Sequence, residues 1–294
     1  MQPLFRHYSI GHFINEPANP TQLEVTFFDV MEEPDVEETH KHSFYEIIWI
    51  EEGKSLQVID FREYEMSRGS LFFISPGQVH RFEEWKRVKG GSILFTGDFF
   101  LQNHGNREQL FELIFLDNVY FQPDLRPDKK SFSEIIRTIH LIAEEKKRPD
   151  PTPSILQSYL HILMAQIKRC VESDPSNIVA RPYLLLFKQF QRLLETHFPE
   201  NLTPGSYAGR LHITPHHLNH VVKQVTGKTA TEVIRERSVL EAKRLFMYSD
   251  LSVTEIAAQL NYFDSSYFAK IFKAATGMSP SEFRMNISVS YRRK

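Results

Sequence analysis

The strongest constraint on this chain is a repeat in its last third. Leu202-Thr203-Pro204-Gly205-Ser206-Tyr207-Ala208-Gly209-Arg210-Leu211 recurs 49 residues later as Leu251-Ser252-Val253-Thr254-Glu255-Ile256-Ala257-Ala258-Gln259-Leu260. The segment from Thr214 to Lys223 recurs as Asp264 to Lys273, now at an offset of 50, which Gly227 and Gly277 keep. A one-residue insertion therefore falls in the turn. Each copy has the same grammar: a capped first helix with a small residue (Ala208, Ala257) and a closing leucine, a short turn, then a second helix capped by Thr214 or Asp264 and ended near a glycine. The small residue lets two helices pack closely at a steep angle. That is the layout of a helix-turn-helix, whose second helix fits a DNA major groove. Thr229–Ser249 reads as a long amphipathic helix joining the copies. A generic helical bundle would not need two capped second helices and a basic surplus.

That surplus is hidden in the net charge of −2. Residues 1–179 hold 19 Lys and Arg against 28 Asp and Glu, a balance of −9, whereas residues 180–294 hold 16 against 9, a balance of +7. An acidic front joined to a basic back suggests that only the back half meets a polyanion. The single cysteine excludes an intrachain disulfide framework and a cysteine-based zinc site. No apolar run approaches the ~18 residues of a membrane span, and no secretory signal opens the chain, so the expected compartment is the cytoplasm. No P-loop and no Ser-His-Asp or Cys-His set is visible.

The front half has a different texture. Leu23–Phe28, Tyr45–Ile50, Ser55–Asp60, Ser70–Ile74 and Ser92–Phe95 are short, rich in β-branched and aromatic residues, and separated by turn signals such as Glu52-Gly53, Arg68-Gly69, Pro76-Gly77 and Gly90-Gly91. Many short strands at such spacing predict a sandwich or jelly-roll barrel. After Gly97 the pattern becomes helical, with helices expected over Glu108–Asp117, Ser131–Lys147 and Ser154–Val171, the last opened by a serine cap. The proline-rich stretch Arg148–Pro153 turns the last two into a hairpin, and Ser173–Arg181 reads as a linker.

The repeat also carries a resemblance. Ile256-Ala257, Asn261-Tyr262-Phe263-Asp264-Ser265-Ser266-Tyr267-Phe268, Ile271-Phe272-Lys273, Thr276-Gly277-Met278-Ser279-Pro280 and Phe283-Arg284 closely resemble the C-terminal signature of AraC/XylS-type transcription regulators, and the joining helix with Arg237, Ala242, Arg244 and Leu245 looks like theirs. The resemblance covers roughly the last 110 residues. It implies two helix-turn-helix units bridged by a rigid helix, with both recognition helices in successive major-groove segments of one DNA face. One departure is Asn261, where the family usually has glycine; asparagine tolerates the left-handed conformation, so the turn should survive.

Helix geometry sorts the side chains. Leu218 and Val222 face inward, leaving His216, Asn219 and His220 outward. In the second copy Phe268 and Phe272 face inward, leaving Ser265, Ser266, Ala269 and Lys270 outward. These positions match base-contacting positions of the family. Asparagine suits adenine, lysine suits guanine, and histidine serves several edges. Lys223, Lys273 and Arg244 are the expected phosphate contacts. Each could instead be an ordinary solvated residue.

A second motif lies in the acidic half. His40-Lys41-His42-Ser43-Phe44-Tyr45-Glu46 runs through six residues to Gly53, and Gly69 precedes Ser75-Pro76-Gly77-Gln78-Val79-His80. The two resemble the cupin motifs, with Pro76 one step late and Glu84 where asparagine is usual. Strand alternation places His40, His42 and Glu46 on one face, and if it lines the barrel they converge with His80. Three readings stay open: a divalent transition metal, a metal-free polar pocket for a small organic effector, or a structural role. Trp49, Phe72, Phe73 and Phe82 are pocket-wall or core residues, and His7 and His12 read as surface residues.

The fold class expected is two-domain α+β: a cupin-like barrel over 1–100, a helical hairpin and linker over 101–179, and an all-α double helix-turn-helix over 180–294. The hairpin stripe Ile155, Tyr159, Ile162, Leu163 and Gln166 is a candidate dimer seam, as the resemblance implies, or simply packs on the barrel. The function expected is a non-enzymatic, effector-responsive regulator that binds double-stranded promoter DNA as a homodimer and meets RNA polymerase if it activates. No cofactor is required, and a divalent metal in the barrel is the one candidate. The competing readings are a metal-dependent cupin enzyme fused to a DNA-binding tail and an effector-independent architectural DNA binder.

Overall fold

The computed structural model describes residues 7–33, 39–60, 62–102, 110, 113–116, 123–172 and 181–291. The chain divides into two compact units, Phe5–Ile178 and Val179–Lys294. Each is built as a body in its own right.

The front unit runs β1 (His7–Tyr8), α1 (Ile10–Phe13), β2 (Leu23–Phe27), β3 (Lys41–His42), β4 (Tyr45–Glu52), β5 (Lys54–Ile59), β6 (Arg62–Ser67), β7 (Leu71–Ile74), β8 (His80–Glu83), β9 (Lys89–Phe95), α2 (Gly97–Leu101), β10 (Asp124–Leu125), α3 (Lys129–Lys146) and α4 (Pro153–Glu172). A five-stranded antiparallel sheet has the order β10-β7-β4-β9-β2, and a three-stranded one the order β6-β5-β8. β4 is apolar on both faces because both are covered. Ile48 and Ile50 join Ile59, Met66, Phe72 and Ile74 in a core between the two sheets. Ile47 and Trp49, with Leu71, Phe73, Ile93 and Phe95, pack instead against Ile135, Ile139 and Ile142 of α3 and Leu156, Leu160 and Leu163 of α4. The helical hairpin thus shares one core with the large sheet. Of the four aromatics read as pocket wall or core, Phe72 and Phe82 belong to the inter-sheet core, and Trp49 and Phe73 to the core shared with the helices.

All five expected strands form, within a residue or so at most ends. β6 goes beyond them: Arg62-Glu63-Tyr64-Glu65-Met66-Ser67 is an edge strand that turns only Tyr64 and Met66 inward. Helix starts differ from the expectation. α3 opens at Lys129 because the Asp128 carboxylate accepts the N–H groups of Lys130 and Ser131 at 2.9 and 3.2 Å. α4 opens at Pro153, the favoured first-turn residue, rather than after a serine cap. Of the helix expected over Glu108–Asp117, Ile114–Leu116 forms a single 3-10 turn and most of the rest lies outside the described residues. So does the expected linker, except that Arg181 already opens a helix.

The back unit is helical: α5 (Arg181–His197), α6 (Pro204–Arg210), α7 (Pro215–Thr226), α8 (Ala230–Tyr248), α9 (Val253–Gln259), α10 (Ser265–Thr276) and α11 (Pro280–Tyr291). Thr229 caps α8 in a capping box with Glu232. Tyr207, Ala208, Leu218, Val221 and Val222 are buried in the first copy beside Phe187 and Phe190 of α5. In the second, Ile256, Ala257, Leu260, Tyr262, Phe268 and Phe272 pack on Val239, Ala242, Leu245 and Phe246 of α8. No described helix is long and apolar enough to cross a membrane.

Candidate functional site

The two copies share one plan. The Thr214 hydroxyl accepts the His217 N–H at 3.1 Å, and the Asp264 carboxylate accepts the Ser266 N–H at 2.7 Å, so α7 and α10 each start on a side-chain cap, three residues back in one copy and two in the other. Both end on a left-handed glycine, Gly227 at φ 73° and Gly277 at φ 78°. Both turns pass through a left-handed residue, His212 and Asn261, each at φ 55°. Asn261 does more than tolerate this geometry: its amide donates to the Glu200 carbonyl at 2.9 Å. On α7, His216, His220 and Lys223 are exposed; on α10, Ser266, Lys270 and Lys273 are exposed, while Ser265 and Ala269 are half-buried. Each second helix therefore presents a polar strip opposite its apolar one.

The barrel gathers the other motif. The His40 and His80 backbones pair at 3.1 and 2.9 Å, which brings β8 against the segment leading into β3. Glu46 Oε2 lies 3.4 Å from His42 Nε2 and 3.7 Å from His80 Nε2. The His40 and His80 rings are 4.4 Å apart, and those of His42 and His80 4.8 Å. All four residues are buried. The His42 ring stacks on Phe44 at 3.8 Å, and Phe13 and Tyr8 meet His40 from the N-terminal segment. Burial, reinforced by the neighbouring His40, holds His42 well below the usual imidazole range. Burial also lowers His80, with His40 and His42 adding to it and Glu46 opposing. At neutral pH these rings are neutral, the form in which imidazole binds metals and exchanges hydrogen bonds. One ligand atom each from His42, Glu46 and His80 lies within 4.8 Å of the others.

Family models match both units: a helix-turn-helix domain over residues 207–286 and an AraC-like ligand-binding domain over residues 29–160. The chain is an AraC-type transcription regulator. The transcriptional activator RhaS of Pectobacterium carotovorum is 26% identical over 250 residues, covering 83% of this chain and 86% of its own. RhaS of Escherichia fergusonii is 25% identical over 254 residues, covering 85% and 88%. The solved structure of ToxT from Vibrio cholerae aligns over 90% of this chain and 98% of its own at 14% identity and a TM-score of 0.43, a likeness too loose to build on. This AraC-type regulator thus pairs a DNA-binding unit with an effector-binding one, and its curated relatives are transcriptional activators.

Several candidate residues of the regulator stand differently from their sequence expectation. Arg244 is buried, with its guanidinium Nη1 3.4 Å from Glu241 Oε2, so its expected phosphate role is corrected to an internal ion pair. Asn219 is half-buried, and its side-chain oxygen accepts the Ala230 N–H at 3.0 Å, pinning the start of α8; that is the oxygen that would accept from adenine. His220 meets Tyr183 of α5 edge-on at 5.5 Å. His12 is half-buried and accepts the Ser9 N–H at Nδ1, not a surface residue; the side chain of His7 lies outside the described residues. His217 and Tyr267, equivalent by the offset of 50, are exposed as well and neighbour the polar strip on a helical wheel, a position the inward-outward sorting of the two helices leaves out. Gln57 carries no motif signal in the sequence. It alternates inward with Ile59 on β5, is fully buried, and neither end of its carboxamide has a hydrogen-bond partner among the described residues.

The neutral histidines make the barrel acid-labile. Their folded-state values lie below the unfolded value near 6.5, so the unfolded chain binds more protons below that pH. Stability attached to them is present above about pH 6.5 and falls as pH drops toward the folded values. With chelator present, the tryptophan-detected unfolding midpoint should fall between pH 7 and 5, and fall less in H80Q. An unchanged midpoint over that range would refute the assignment.

Proposed function

We propose that this regulator reads two successive major-groove segments of double-stranded promoter DNA through the N-terminal parts of α7 and α10. The observation that carries the reading is the duplicated capped helix behind a left-handed turn, set in a basic unit. His216, His220, Ser265, Ser266, Ala269 and Lys270 would meet base edges, Lys223 and Lys273 phosphates, and Asn219 would offer only its amide N–H groups. A small-molecule effector would bind in the barrel near His40, His42, Glu46 and His80 and change DNA affinity or activation. Ile155 and Ile162 of α4 stay exposed on the helix face away from its buried leucines, which supports a homodimer seam there. The reading is cytoplasmic and non-enzymatic, with RNA polymerase as the partner in activation.

Selection from a random duplex library by the full-length protein, at two salt concentrations, tests it. Paired half-sites are expected, with affinity falling as salt rises because phosphate contacts release counterions. Salt-sensitive binding without any motif would reduce the chain to a non-specific binder.

The clustering of His42, Glu46 and His80 favours a second reading of the pocket, a divalent metal. Two neutral imidazoles and a carboxylate fit such an ion, and when bound it would supply a positive anchor for an oxygen of the effector. Metal analysis of the purified protein and of H42A decides it: stoichiometric metal lost in the variant supports the ion, and none in either supports the metal-free pocket.

A further inference from the structure

The repeat offset changes from 49 to 50 across the turn, and the structure identifies the extra residue. The Ile213 N–H donates to the Ala208 carbonyl at 3.0 Å, and the Tyr262 N–H to the Ala257 carbonyl at 2.8 Å, so Ile213 and Tyr262 are equivalent. The next residue in the first copy is the cap, Thr214; in the second copy Phe263 intervenes before the cap, Asp264. Phe263 is thus the insertion, and it is 101% exposed. A turn residue in solvent is ordinarily Gly, Asn, Asp or Ser. Tyr267, one helical turn on, is 49% exposed and extends the apolar edge, with Ser266 and Lys270 beside it. This edge lies at the start of α10, the end of a recognition helix that meets bases. The apolar feature a major groove offers there is the thymine C5-methyl group, which phenylalanine can contact.

We propose that Phe263 reads a thymine methyl in the half-site taken by α10, a contact that α7, lacking the inserted residue, does not make. The proposal rests on the groove reading above. Lys273 on the same helix supplies the phosphate contact that holds this edge in the groove, and Lys270 stands beside it at the base edges.

The test starts from the selected duplex and full-length protein. Each thymine is replaced in turn by deoxyuridine, which keeps the pairing face and the O4 acceptor and lacks only the methyl. At one position in one half-site, wild type should bind the uracil duplex about fourfold more weakly, the size of one buried methyl. In F263A that ratio should fall to about one, with thermal unfolding unchanged because the side chain packs on nothing. F263L should keep part of the discrimination. A motif in which every thymine tolerates uracil, or an F263A that still discriminates, would overturn the proposal alone. Absence of any selected motif would overturn the groove reading and this contact with it. An F263A that keeps the uracil ratio but loses activation by purified polymerase would overturn it in favour of a protein partner.

Discussion

Phe272→Ala should remove about 3–5 kcal/mol from the DNA-binding unit and abolish specific DNA binding while leaving the barrel folded. Phe272 is fully buried on α10, and its ring meets Phe246 at 5.2 Å, Phe283 at 5.3 Å and Phe268 at 6.0 Å, each from a different part of the second copy or its supporting helix. Truncation leaves a cavity that three large rings cannot fill without moving α10 on α8. A cost of that size is a large fraction of the stability of a single domain, about 5–15 kcal/mol. The chain offers a way to see the two units apart. Its only two tryptophans, Trp49 and Trp85, both lie in the front unit. Tryptophan emission therefore follows the barrel, and far-ultraviolet circular dichroism weighs the helical back unit. In denaturant, the dichroism transition of F272A should move to lower concentration while the emission transition stays. F272L, which restores most of the volume, should recover most of the shift. Coincident movement of both transitions would show that the units do not unfold separately.

Much of the back unit is legible because its grammar is local. Caps lie within three residues of the N–H groups they serve, the small residue sits within its own helix, and the glycine stop follows directly, so a short window of sequence suffices. Asparagine's intrinsic tolerance of a left-handed turn predicts the conformation of Asn261, and the residue adopts it. What escaped depends on partners far along the chain. Arg244 looked like a phosphate contact because arginine is normally exposed; its burial follows from packing around Glu241 and Arg237 that no window reveals. Asn219 looked free because its partner, the Ala230 N–H, belongs to the next helix. In the barrel, period-two alternation separates the two faces of β4 without telling which is covered by the second sheet and which by helices, so it leaves Trp49 open between pocket wall and core. The spacing of His40, His42 and Glu46 did point to one cluster with His80, because a motif fixes side-chain placement more tightly than hydropathy does.

Arg237 is where that long-range packing should cost most when broken. Its Nε lies 2.8 and 2.9 Å from the two Glu195 oxygens, its Nη1 lies 3.1 Å from Glu241, and its guanidinium carbon sits 3.7 Å over the Phe198 ring. One buried side chain thereby ties α8 to the end of α5, and sets a positive charge between two carboxylates that would otherwise repel. Arg237→Ala should cost about 3 kcal/mol, the low end for a broken buried pair, because half-exposed Glu195 can rehydrate. The loss should persist in high salt, which screens exposed pairs far more than buried ones. R237K should recover only part, since an ammonium lacks the planar fork that meets Glu195 and Glu241 together. R237M should also recover part, by keeping the stem's packing. Because Arg237 and Arg244 are spent inside the unit, R237A and R244A should lower stability without changing the slope of DNA affinity against salt. K223A and K273A, at the two proposed phosphate contacts, should do the reverse, each flattening the slope by about one unit. A flattened slope in R244A at a temperature where the unit is fully folded would return that arginine to the DNA.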